Sequence, residues 1–221
     1  MTRLARYDSR QIATRGVCAV VGVDEVGRGC LAGPVVAAAV VLPAKARLPG
    51  VDDSKRLSRE QRAEQAIEVR RVAIAIGFSF VGPRVIDSIN IRGASLLAMR
   101  RAVRRARARL QRGHAEAAAS LLVLVDGLDV VPGVEIAQQA VVGGDGTSLS
   151  IAAAPIVASR DDDLPGDGLQ LISAGFQVRS DAAQYDRLRF RHAQPAKEFL
   201  ARAFQQRRIA HDRDDRGRTR R

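Results

Sequence analysis

The sequence predicts an α/β domain built on a mixed sheet, and three observations predict it. Short apolar runs rich in Val, Ile and Ala recur at residues 17–23, 35–42, 70–82, 121–127 and 138–145, with the length and composition of strands. Stretches of helical spacing lie between them. The first two runs are joined by a short Gly-rich link, which suits an antiparallel pair. The third, "RRVAIAIGFSFVG", stops on Gly-Pro. These three are expected to lead the sheet as antiparallel strands flanked by helices, with the two later runs joined through helices.

The helices follow in order. "DSKRLSREQRAEQAIEVRR" reads as helical, and Ser58 with Gln61 three residues on is a capping-box signature. A longer helix is expected from Val85 to about Arg112. Ile86, Ile89, Gly93, Leu96, Val103 and Leu110 fall on one stripe of it. Its arginine-rich run "RRAVRRARARLQR" reads as an exposed face built from good helix formers, with nucleic-acid binding as the alternative. "TSLSIAAAPIVAS" reads as an Ala-rich helix with Pro155 inside it. After residue 158 the text turns to "SRDDDLPGDG" and "DRDDRGRTRR" and periodicity fades. The expected division is a domain over 1–158 and a basic, partly helical segment over 159–221, disordered at its end.

Composition narrows the function. Aromatic residues make up 4% of the 221 residues and Trp is absent, so the core must be aliphatic. The formal net charge of +12 favours a polyanionic partner, with nucleic acid first and an anionic membrane surface second. No stretch approaches 18 uncharged apolar residues. The N-terminal "MTRLARYDSRQ" lacks the apolar core of a secretory signal. Cys18 and Cys30 form no CxxC or Cys/His cluster and read as small apolar residues, compatible with a reducing cytoplasm.

Asp24, Glu25 and Asp126 each follow a strongly apolar run. A carboxylate at the end of a buried strand is costly unless it is paired or bound to a cation. Two such strands side by side would gather several acids, and an oxygen-only anionic site suits Mg²⁺ or Mn²⁺ rather than zinc. In a basic protein such a site fits metal-assisted phosphodiester hydrolysis. The alternative is a plain turn, with the acids as turn formers. His114, His192 and His211 form no triad pattern, and "GRGCLAG" and "VGGDG" are not phosphate-binding loops of the Gly-Lys-Ser/Thr kind.

These motifs resemble, in order, those of the ribonuclease HII family. "VVGVDEVGRGCLAGPVVAAAVVLP", "VDDSKRLS", "VIDSINIRGASLLAMRRAV", "LLVLVDG" and "VVGGDGTSLSIAAAPIVA" cover about residues 17–158. The resemblance implies a ribonuclease H-like fold over 1–158. It also implies a monomeric cytoplasmic endonuclease that cleaves the RNA strand of RNA–DNA hybrids, or ribonucleotides embedded in duplex DNA. The products would carry 5′-phosphate and 3′-hydroxyl ends. It implies Asp24, Glu25 and Asp126 as ligands of Mn²⁺ or Mg²⁺. Gly27, Arg28 and Gly29 would lie along the minor groove, with backbone reaching the 2′-hydroxyl. Asp53, Ser54 and Lys55 would lie near the nucleic-acid strand, and Asn90 on the central helix.

The resemblance weakens at the far end. The family's Thr-Arg-Asp, which bears a fourth acid, matches "SRD" and so Asp161 if two residues are deleted, or Asp163 without a gap. Family lysines are replaced by Gly143 and Ser159, and a family serine by Pro155. The His-Lys-Gly-Tyr-Gly-Thr stretch survives only as a faint echo in "FRHAQPAKEFLARAF". The second expectation is therefore a homologue that binds nucleic acid with impaired or lost catalysis.

Overall fold

A computed structural model describes residues 1–28, 33–51 and 57–158. Five strands form one sheet in the order β3-β2-β1-β4-β5. They are β1 (Ala19–Val26), β2 (Val35–Val41), β3 (Ala75–Val81), β4 (Leu121–Asp126) and β5 (Ala137–Val141). β1 pairs antiparallel with β2, and β2 with β3. β4 runs parallel to β1, and β5 parallel to β4. The mixed sheet and its three antiparallel leading strands are as the sequence predicts.

Alternation along the strands sorts two cores. Val21, Val23, Ala37, Ala39, Val123 and Val125 face α3 (Pro83–Gly113). On the other side, Val36, Ala38 and Val40 pack with α2 (Arg59–Val72) and α5 (Leu149–Ala158). Val20, Leu122 and Leu124 pack there too, against Ile151 of α5 and Tyr7 and Ile12 of α1 (Arg3–Arg15). Two glycines set the distances between layers. A Cβ on Gly77 would lie 2.1 Å from the Ala102 carbonyl oxygen, and one on Gly22 would lie 2.1 Å from the Ser150 carbonyl carbon. Both helices therefore sit on the sheet at glycine-width separation, with Ala102, Ala106 and Ala152 fully buried beside them.

Several expectations are corrected. β3 begins at Ala75 rather than residue 70, because Arg70–Arg71–Val72 complete α2. β5 ends at Val141, because Gly143 turns left-handed (φ 62°) into a 3₁₀ turn, Gly144–Gly146. The long helix is two segments merged across Asn90, whose backbone (φ 59°, ψ 170°) is not helical. The Asn90 side chain caps the second segment, accepting from the Gly93 N–H at 3.0 Å. That break rotates the stripe. Val103 and Leu110 are buried as expected and Ile86 and Leu96 pack against the core, but Ile89 is exposed, and the buried row is Ala94, Ala98, Ala102 and Ala106. Cys18 is exposed rather than a core residue, since it precedes β1. A fifth, short helix, α4 (Ala115–Ala119), joins α3 to β4. Helix α1 had no counterpart in the sequence reading. Cys30 and the whole of residues 159–221 lie outside the described residues.

The arginine run of α3 has an internal task. β3 is a sheet edge, and Arg105 and Arg109 donate to its outward carbonyls at Phe78 and Ile76. Arg104 donates to the Gly133 carbonyl at 3.0 Å. Capping an open edge with charge discourages pairing with another chain. Arg105→Ala combined with Arg109→Ala is expected to cost about 1 kcal/mol of stability. It should also raise concentration-dependent light scattering. Unchanged melting and scattering would show that the caps are idle.

Candidate active site

β1 is the central strand and β4 its parallel neighbour; β4 ends on Asp126, whereas β1 runs on past Asp24 and Glu25 to Val26, beyond the end the apolar run predicts. The parallel register pairs Val23 with Val125, so Asp24 stands beside Asp126 one step further along. Even-numbered residues of both strands face α5, and these two carboxylates share that face at the C-terminal ends of neighbouring parallel strands. The place is set by the fold: parallel strands end together at the edge where crossover loops leave the sheet.

Asp24 is 8% exposed. Its carboxyl is pushed up to about 8, first by burial, then by the charges of Asp126 and Glu25; Asp145 adds a smaller effect in the same direction. Its Oδ1 accepts from the Glu25 N–H at 2.7 Å. Glu25 is also raised, by burial above all, while Arg28 opposes the shift through an ion pair at 3.1 Å. Asp126 is held from the opposite side, its Oδ1 accepting from the Gly144 N–H at 2.7 Å. A Cβ on Gly144 would lie 2.9 Å from that oxygen, so the approach requires glycine.

The set fits a divalent cation by its chemistry. All the donors are oxygens, the local charge is negative, and a buried aspartate is driven toward protonation when no cation offsets its neighbours. Among the described residues, no three His, Cys, Asp or Glu side chains are drawn together as a ready-made cage. Asp24 and Asp126 are the juxtaposed pair, and Glu25 turns to Arg28 beside them.

Gly27 opens the loop after β1. Its φ is 90°, and a Cβ there would meet the Pro34 carbonyl oxygen at 2.8 Å, so both conformation and space require glycine. Arg28 is half-exposed and closes on Glu25. The loop that follows β4 is tied to the second segment of α3 by Arg92, which donates to both carboxylate oxygens of Asp129 at 2.9 and 2.6 Å. Gly29, Asp53, Ser54, Lys55, Asp161 and Asp163 lie outside the described residues. Sequence reasoning overlooked Gly144 and Asp145. In the sequence "VGGDG" reads as a strand end within a family motif and not as a phosphate loop, whereas in the fold its second glycine is a hydrogen-bond partner of Asp126.

The ribonuclease HII family model matches residues 21–177. The chain belongs to the ribonuclease HII family. The match runs past Ala158 and includes both Asp161 and Asp163. Ribonuclease HII of Citrifermentans bemidjiense is 47% identical over 148 residues, covering 67% of this chain and 60% of that protein. Ribonuclease HII of Geobacter sulfurreducens is 45% identical over 152 residues, covering 69% and 64%. The chain thus spans less than two thirds of the length of these two relatives. Among solved structures, the complex of PCNA with ribonuclease HII from Archaeoglobus fulgidus aligns with a TM-score of 0.54. Identity there is 24%, over 83% of this chain and 89% of that one, a likeness of fold. Among the described residues no helix is long and apolar enough to cross a membrane.

Proposed function

We propose that the protein is an endoribonuclease that hydrolyses the RNA strand of RNA–DNA hybrids, or ribonucleotides embedded in duplex DNA. The observation that carries the reading is the Asp24–Asp126 pair at adjacent strand ends. Family membership and the +12 charge support it. Asp24 and Asp126, with Glu25, would hold Mg²⁺ or Mn²⁺, which activates a water and stabilises the leaving oxygen of the phosphodiester. The chain's own residues do the rest. Gly144 fixes the Asp126 carboxylate through its N–H. Arg28, half-exposed beside Glu25, would meet a phosphate of the substrate. Gly27 and Gly29 let the loop backbone approach the 2′-hydroxyl. A fourth acid would come from Asp161 or Asp163, and Ser54 and Lys55 would contact the strand. The products would end in 5′-phosphate and 3′-hydroxyl. The monomeric state and a cytoplasmic setting belong to the same proposal, and the exposed thiol of Cys18 suits a reducing compartment.

The test is a DNA duplex carrying one ribonucleotide, incubated with the full chain and Mg²⁺ or Mn²⁺. Cleavage on the 5′ side or 3′ side of that ribonucleotide, absent from the all-DNA control, is the expected result. Salt-sensitive binding without product would overturn the enzymatic reading in favour of a binding homologue.

A further inference from the structure

Helix α1 lies outside the strand-end site, yet its contacts converge on the segment that holds Asp126. Arg3 donates to the Gly146 carbonyl at 2.8 Å. Asp8, only 6% exposed, accepts through one oxygen from the Ser150 N–H at 2.9 Å and the Ser150 hydroxyl at 2.8 Å. Further along α1, the Tyr7 hydroxyl accepts from Gln139 at 3.1 Å, and Arg15 donates to the same side chain at 3.0 Å. One helix therefore grips β5, the 3₁₀ turn and the start of α5.

The grip continues to the site through consecutive hydrogen bonds. Ser150 lies in the first turn of α5. Ser148 just before it caps that helix, accepting from the Ile151 N–H at 3.2 Å. The Thr147 and Ser148 N–H groups donate to the Gly144 carbonyl at 2.9 and 2.8 Å. The Gly144 N–H then donates to Asp126. The first turn of α5 contains no acidic residue of its own. Asp8 supplies from another element the negative charge and acceptor that a helix start favours. Burial of such a carboxylate is costly and holds the Asp8 carboxyl above the ordinary aspartate value; the donors on Ser150, Ser148 and Leu149 oppose that shift only in part, and the second carboxylate oxygen has no hydrogen-bond partner among the described residues.

We infer that Asp8 and Arg3 of α1 are positioning residues for the strand-end site: they fix the Gly143–Ser150 segment so that the Gly144 N–H meets Asp126. The metal consequence rests on the reading given under Proposed function, but the positioning itself does not. Tuning the partner of a ligating carboxylate typically changes metal affinity about 10- to 100-fold.

The experiment uses the full chain and two readouts: amide hydrogen exchange of Gly144 by NMR in metal-free protein, and Mn²⁺ affinity by calorimetry. Asp8→Ala is expected to speed Gly144 exchange about tenfold, with Gly77 on the far side of the sheet unchanged, and to weaken Mn²⁺ binding about tenfold. Asp8→Asn keeps an acceptor and should remain within about threefold of wild type on both readouts. Arg3→Ala removes an exposed contact without disturbing the core, and should speed Gly144 exchange about two- to threefold. Wild-type Gly144 exchange in both Asp8→Ala and Arg3→Ala overturns the inference. If Asp8→Ala does not fold, Arg3→Ala decides alone. Wild-type protein that binds no Mn²⁺ sinks the metal reading, while Gly144 exchange still decides the positioning.

Discussion

Replacing Asp24 by Asn is expected to abolish cleavage and, in the metal-free protein at pH 8, to raise the melting temperature. The two effects have one origin. In the folded chain this carboxyl is pushed up to about 8 by burial and by Asp126 and Glu25. The unfolded chain releases the same proton near the ordinary aspartate value. Between those two points the folded state binds more protons, so stability falls as pH rises from about 4 to about 8 and is level on either side. The charge cost at pH 8 is several kcal/mol. Asparagine removes it while keeping an oxygen to accept the Glu25 N–H. The same change deletes an anionic donor, and cleavage should fall at least about 1000-fold, a loss of about 4 kcal/mol of transition-state stabilisation. Thermal melts of both proteins at pH 5 and pH 8, alongside the ribonucleotide-duplex assay, check both halves. Equal melting at both pH values, or residual cleavage within tenfold, would show that Asp24 is an ordinary turn residue.

Gly22→Ala is expected to be, with Gly77→Ala, among the most damaging single methyls in the described chain. Its Cβ would lie 2.1 Å from the Ser150 carbonyl carbon and 2.2 Å from the Ile151 nitrogen, both backbone, so no side chain can swing aside. Helix α5 would have to lift from β1, opening the layer that buries Val20, Leu122 and Ile151. Overpacking of this kind costs about 3 kcal/mol, which for a chain of this size lowers the melting temperature by about 10 °C. Chemical denaturation measures the loss. Activity should suffer further, because Ser150 carries the Gly144 segment and Gly22 is two residues from Asp24. A variant with wild-type stability would refute the close packing of α5 on β1.

Much of the architecture was legible because its signals are local. Apolar runs marked all five strands, though not the ends of β1, β3 and β5, and Ser58 with Gln61 marked the start of α2, whose capping box is present in the fold. The motif order carried the family. α1 escaped notice because its apolar residues are few, Leu4, Ala5, Tyr7, Ile12 and Ala13 among charged and polar ones, between a Thr2 cap and Gly16 in the left-handed region. The break at Asn90 escaped because a helix-compatible sequence runs on both sides, and only the cap formed with Gly93 reveals it.

For the site, the sequence alone determined which acids follow which apolar runs, since runs stopping at Asp24 and Asp126 need no knowledge of their neighbours, although β1 itself continues to Val26. Only the tertiary structure decided that these two strands lie parallel and adjacent, that Gly144 holds Asp126, and that Glu25 turns to Arg28. The physical reason is that a strand's identity is written in its own residues. Its neighbours depend on chain segments about a hundred residues apart, brought together by burial of both faces of the sheet.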